Sequence, residues 1–129
     1  MNRELYDHKV PGTMNNDLAI VVLDEPGQGN ACHKYAICTP HDSFNQELNA
    51  GMVQHLVFQN GPLKEVGING ITNEALLAVV IDRLRGFQSG QFACRENALA
   101  LTDLESSLMW LQKRTRDRLS RGVEGTNVK

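Results

Sequence analysis

The sequence predicts an α+β fold in which a small N-terminal antiparallel β-sheet precedes a long antiparallel two-helix hairpin. Three observations carry this expectation. Apolar, β-branched runs of strand length, bounded by turn formers, occupy residues 17 to 68. Leucines and other aliphatic residues recur at three- and four-residue intervals from 72 to 121, the period of a helix with one buried face. Between the two halves of that periodic stretch stands Ser89-Gly90, a break. With 129 residues the chain fits one domain over 1–129, since domains usually run to roughly 100–150 residues, and residues 122–129 read as a C-terminal tail.

The β-rich part begins with Leu18 to Leu23, a continuous apolar run between Asn-Asn-Asp and Asp24-Glu25-Pro26-Gly27, as expected of a buried strand. Lys34 to Cys38 alternates well enough to be its partner, with Tyr35 and Ile37 on one face, and Pro40 ends it. The Pro26-Gly27-Gln28-Gly29-Asn30 connection is glycine-rich, but it opens no helix, so it earns no nucleotide-binding role. Val53 to Phe58 is expected to be a third strand, followed by the turn Asn60-Gly61-Pro62 and a short strand near Val66 to Ile68. Residues 42 to 52 are ambiguous, with a short helix packed on the sheet as one reading.

The helical part is more sharply written. Asn69-Gly70 makes a turn, Thr72 is a good helix N-cap, and Glu74 places a carboxylate where the exposed amides of a first turn favour negative charge. Leu77, Val80, Ile81 and Leu84 then form one apolar stripe, which runs on to Phe87. A second helix is expected from about Ala93 to Arg121, with Leu101, Leu104, Leu108 and Leu111 as its seam. The intervening Gln88 to Phe92 is short enough to join antiparallel neighbours.

Composition excludes several classes. No apolar run reaches the roughly 20 residues of a membrane span, and the opening Met-Asn-Arg-Glu-Leu-Tyr-Asp lacks the apolar core of a signal peptide, so a cytoplasmic protein is expected. Only 5 % of residues are aromatic, and a small chain short of large side chains commonly completes its burial by self-association, which predicts an oligomer. Cys32, Cys38 and Cys94 do not make a disulfide framework. Cys32, His33, Cys38 and His41 lie close enough in sequence to raise zinc, yet there is no C-x-x-C pair and the same stretch reads as a strand; no metal is assigned. His8 and His55 stand alone, as surface or satisfied histidines usually do.

Charge divides the chain. Residues 1–66 carry four Lys/Arg against eight Asp/Glu, residues 67–129 nine against seven, and the whole has a net charge of −2. That balance is too acidic for general coating of nucleic acid and points to a local site for a compact anion. The surplus gathers in Trp110 to Thr126, WLQKRTRDRLSRGVEGT, where Lys113, Arg114, Arg116, Arg118 and Arg121 crowd together. Arg114 and Arg118, four apart, share a helical face on which two guanidinium groups can grip a phosphate or pyrophosphate through charge-assisted bonds. The plainer alternative is equally open: cations near a helix C-terminus complement its dipole, and Lys113 with Asp117 is an ordinary surface pair. No histidine, cysteine pair or carboxylate pair near this end suggests acid–base chemistry, so neither catalytic residues nor a cofactor are assigned and the chain is not expected to be an enzyme.

The run from Gly67 to Thr126, above all DRLRGFQSGQFACRENALAL and RTRDRLSRGVEGT, resembles the helical hairpin shared by phage Thoeris anti-defence and anti-CBASS sponge proteins. The β-rich first half, with CHKYAI and LVFQNGP, makes the chain similar to the first Thoeris anti-defence family rather than to the shorter, wholly helical anti-CBASS sponges. This resemblance implies a protein of the infected bacterial cytoplasm that binds cyclic ADP-ribose isomers made by Thoeris TIR proteins, chiefly glycocyclic ADP-ribose, without cleaving them. It further implies cyclic di- or trinucleotides as possible ligands of a second site, and a hexamer built as a trimer of dimers. Carried over by position, the ligand contacts fall on Phe87, Asn97, Arg114 and Arg118, with Arg121, Gly122, Val123, Gly125 and Thr126 as weaker candidates.

Residue chemistry suits those roles and also duller ones. Phe87 offers a face for an adenine, or simply closes the hairpin's apolar end; Asn97 can bond a base edge or ribose hydroxyl, or satisfy helix backbone groups. Gly122 and Gly125 can let amides approach phosphate oxygens, or terminate the helix. Asn97 and Arg114 are seventeen residues apart, about 25 Å along one helix, so one ligand can meet both only in a composite pocket at a homodimer interface. The alternatives are a nucleic-acid-binding protein, which would show steep salt dependence, an enzyme that degrades the signal, which would change its mass, and a phage structural protein using the hairpin to oligomerise.

Overall fold

The computed structural model describes residues 2–39 and 52–129. Pro40, His41 and all but the last residue of the ambiguous stretch 42 to 52 lie outside them. The chain gathers into two compact units, Met1–Asn60 and Gly61–Lys129.

The first unit is an antiparallel meander of β1 (Arg3–Leu5), β2 (Ala19–Val22), β3 (Lys34–Cys38) and β4 (Val53–Val57), side by side in chain order. Ile20 stands opposite Ile37, Val22 opposite Tyr35, and Tyr35 opposite Leu56. Because side chains alternate along a strand, these residues share one face, as the pattern of β3 predicted for Tyr35 and Ile37. Val22 is fully buried there, and Tyr35 meets Phe58 edge-on at 5.6 Å. β1 and the single turn α1 (Met14–Asp17) carry no sequence signal: Arg-Glu-Leu is too short and polar to show a period, and its pairing with the edge of β2 makes it a strand.

The β2–β3 connection is tied by one side chain. Asp24 accepts the backbone N–H of His33 at 2.9 and 3.2 Å and that of Lys34 at 3.1 Å, while a 3-10 turn over Gln28–Asn30 places Gly29 and Asn30 at positive φ. Partial removal from water pushes the Asp24 carboxyl up, but the His33 and Lys34 amides and the nearby His33 ring outweigh this and hold it below its ordinary value. A lowered carboxyl pKa contributes stability that is present above the unfolded value and is lost as pH falls through the folded one. Asp24→Asn should therefore be less stable than the parent at neutral pH and lose less between about pH 5 and 2, read as urea midpoints across that range.

In the second unit the expected strand at Val66 to Ile68 is not formed. Residues Leu63–Val66 make one helical turn, α2, whose N-cap is Pro62 and which Gly67 stops at φ 70°. Two apolar residues are too few to set a period, and a proline ahead with a glycine behind dictate the turn. Two long helices follow, α3 (Asn73–Gln88) and α4 (Arg95–Ser120), packed together as the hairpin.

Thr72 caps α3 as expected, its hydroxyl accepting from Ala75 N–H at 3.1 Å. Ile81 is buried and Leu77 and Leu84 are half-buried, whereas Val80 is 44 % exposed. At 100° per residue Val80 points about 60° away from Leu77, enough to leave the seam. Leu101, Leu104, Leu108 and Leu111 are all half-buried along α4. Helix α4 begins at Arg95, two residues later than expected, because Cys94 is its N-cap, with Sγ accepting from Asn97 N–H at 3.4 Å. Gln88 closes the connection, bonding both Cys94 O and Cys94 N–H, and Arg85 reaches Glu105 across the hairpin at 2.8 Å.

Candidate functional site

The C-terminal end of α4 is closed by its backbone. Gly122 adopts φ 71°, its N–H reaches Leu119 O at 3.0 Å, and Val123 N–H reaches Arg118 O at 3.0 Å, the paired bonds of a Schellman motif. Only a residue free of Cβ strain enters that left-handed region cheaply, which explains glycine at 122. Beyond it the chain folds back. Gly125, at φ 81°, gives its carbonyl to Lys64 N–H of α2 at 3.0 Å, and a Cβ on Gly125 would meet the Lys64 side chain at 3.3 Å. Thr126 donates its hydroxyl to Val123 O.

Arg118 holds this segment down. Its guanidinium is buried and makes four bonds: to the Glu124 carboxylate at 3.0 Å, Val123 O at 2.9 Å, Thr126 O at 3.1 Å and Val128 O. A guanidinium has five N–H donors, so one is left for anything else. The two arginines of the predicted pair thus differ: Arg118 is committed to its own chain, while Arg114 is exposed.

Against this end lies a hollow of about 810 Å³, lined by Trp110, Lys113, Arg114 and Asp117 and, one turn on, by Arg118, Ser120, Arg121 and Lys129. Five cationic side chains line it; Lys113 is paired with Asp117 at 2.9 Å and Arg118 with Glu124 at 3.0 Å, so the positive surplus rests on Arg114, Arg121 and Lys129. An anion entering here meets little competing negative charge, and the C-terminal end of a helix, where carbonyls otherwise repel anions, is compensated by the arginines. Arg114, Arg118 and Arg121 are brought together as expected, with Gly122 to Thr126 beside them. Trp110 and Lys129 were not anticipated. Trp110 stands four residues before Arg114, and that same-face spacing was the signal for it.

Phe87 and Asn97 lie at the other end of the hairpin. Phe87 is 42 % exposed, and the Arg83 guanidinium sits over its ring at 5.6 Å from the centroid. Asn97 is half-buried in the first turn of α4. Because α4 runs without a break from Arg95 to Ser120, Asn97 and Arg114 stay about 25 Å apart along the helix.

Among the described residues no group of His, Cys, Asp or Glu is arranged to hold a metal ion; His41 lies outside them. Among them too, no helix is long and apolar enough to cross a membrane.

Residues 53–116 match the Acb2/Tad1 hairpin domain. Over 80 residues the chain is 56 % identical to Thoeris anti-defense 1 of Bacillus phage SBSphiJ7, a match that takes in 62 % of this chain and 56 % of that relative. The chain carries an Acb2/Tad1 hairpin domain. It spans a little over half the length of the relative it matches. The hairpin-domain match runs from β4 through Arg116, so it includes Phe87, Asn97 and Arg114, while Arg118 and the segment it fastens lie beyond it.

Proposed function

We propose that this chain is a phage anti-defence protein that binds cyclic ADP-ribose-type immune signals, glycocyclic ADP-ribose made by Thoeris TIR proteins in the first place, and holds them uncleaved in the cytoplasm of the infected bacterium. The observation that carries the reading is the hollow at the end of α4, where Arg114, Arg121 and Lys129 gather beside two cations, Lys113 and Arg118, that are already paired with Asp117 and Glu124. A pyrophosphate is the compact dianion such a cluster suits. Arg114 grips it directly; Arg118 contributes its remaining donor and, through the segment it fastens, the wall beside it. Arg121 lines the same space, and Gly122, Val123, Gly125 and Thr126, in the segment that Arg118 fastens, act with it as weaker contacts.

Phe87 stacks the adenine and Asn97 bonds a base edge or ribose hydroxyl, and both come from a second protomer, because α4 separates Asn97, at the hairpin tip with Phe87, from Arg114 by more than the ligand's reach. Exposed Val79, Val80, Leu99 and Met109 on the hairpin support a self-association that covers them. Further association of dimers into a hexamer, with a separate site for cyclic di- or trinucleotides, extends the same reading.

Retention without cleavage requires a preorganised pocket and no reactive group poised on the ligand. Titration calorimetry with glycocyclic ADP-ribose, followed by heat release and mass analysis, tests the proposal. The expected result is saturable binding and release of ligand at unchanged mass; absence of heat, or a hydrolysed product, overturns it.

A further inference from the structure

Trp110 is the one tryptophan of the chain, and it stands 61 % exposed at the rim of the cationic hollow. An exposed indole is an expensive surface feature unless something covers it, and here it lies where a ligand enters rather than on the α3–α4 seam. One helical turn separates it from Arg114, about 6 Å along the axis, so a single small molecule can touch both. The side chains that line the hollow beside it are polar or charged. We propose that Trp110 is a binding residue of this site, stacking a planar ring of the ligand while Arg114 takes the adjoining phosphate.

This deepens the reading of the hollow as a nucleotide site and rests on it. The shared chemistry is a heterocycle joined to a phosphate: the indole face supplies affinity for the ring and the guanidinium for the charge, so the helix end discriminates nucleotides from inorganic phosphates. It also makes two aromatic faces available to the ligand, Trp110 beside the phosphate and Phe87 from the other protomer's hairpin tip.

Because no other tryptophan contributes, intrinsic emission reports on this position alone. Glycocyclic ADP-ribose is titrated into the parent protein and into Trp110→Phe, Trp110→Leu and Trp110→Ala, by calorimetry for all four and by emission for the parent. The expected result is a saturable emission change in the parent that tracks the heat, affinity within a few-fold for Trp110→Phe, and a loss of about tenfold or more for Trp110→Leu and Trp110→Ala. Emission unchanged while heat is evolved, or full affinity in Trp110→Leu, overturns the stacking role and leaves the nucleotide reading intact. No heat with the parent overturns that reading, and this inference with it. All four proteins should melt alike, since an exposed side chain is being changed.

Discussion

Replacing Arg118 with alanine is expected to free residues 122–128 from the end of α4 and to destabilise the second unit by about 2–3 kcal/mol. The guanidinium is the common partner of Glu124 and of three backbone carbonyls, and no other side chain can take its place. Full loss of a buried ion pair costs about 3–5 kcal/mol, but Glu124 is partly exposed and the released carbonyls regain water, so the lower figure applies. Amide exchange at Val123 and Thr126 should accelerate to the rate of an unstructured tail, and the urea midpoint should fall. Arg118→Lys keeps the charge for Glu124 but lacks the planar fork, so it should recover only part of the loss. An unchanged exchange pattern in Arg118→Ala would remove the fastening role.

The second large effect is on binding. Arg114 makes no buried contact that the fold depends on, so Arg114→Ala should leave thermal stability within about 0.5 kcal/mol of the parent while weakening glycocyclic ADP-ribose binding by a hundredfold or more. A guanidinium bonded to a desolvated phosphate contributes several kcal/mol, of which truncation forfeits most. Calorimetry on the two variants together separates the roles: Arg114→Ala loses affinity without losing structure, and Arg118→Ala loses both. Equal affinity for parent and Arg114→Ala would place the phosphate elsewhere.

Much of this was written in the chain, where its signals are periodic or local. Strand β3 was legible to the residue because Lys34 to Cys38 alternates and Pro40 follows it in the sequence, and the start of α3 because Thr72 and Glu74 are a cap and a first-turn acid. Strand β1 was not, since three mostly polar residues are recruited by a neighbour's edge rather than by their own pattern. Nor was α2, where one turn between proline and glycine leaves no room for a helical repeat. The start of α4 was misplaced because a cysteine cap is rarer than serine or aspartate and gives a weaker signal. At the site, spacing put Arg114 and Arg118 on one face correctly; only the folded-back segment, which no periodicity announces, reveals that one of them is spent inward.

The two ends of α4 are secured very differently. At one, a glycine-closed helix and a four-fold arginine clasp brace the chain; at the other, a thiol, among the feeblest of acceptors, caps the first turn, and among the described residues only the Gln88 amide brackets Cys94. In the two-protomer pocket we propose, the first end is the anchoring jaw and the second the adapting one. Guests of differing ring size would be accommodated by give at the Cys94 end, while the phosphate stays anchored in register at the other.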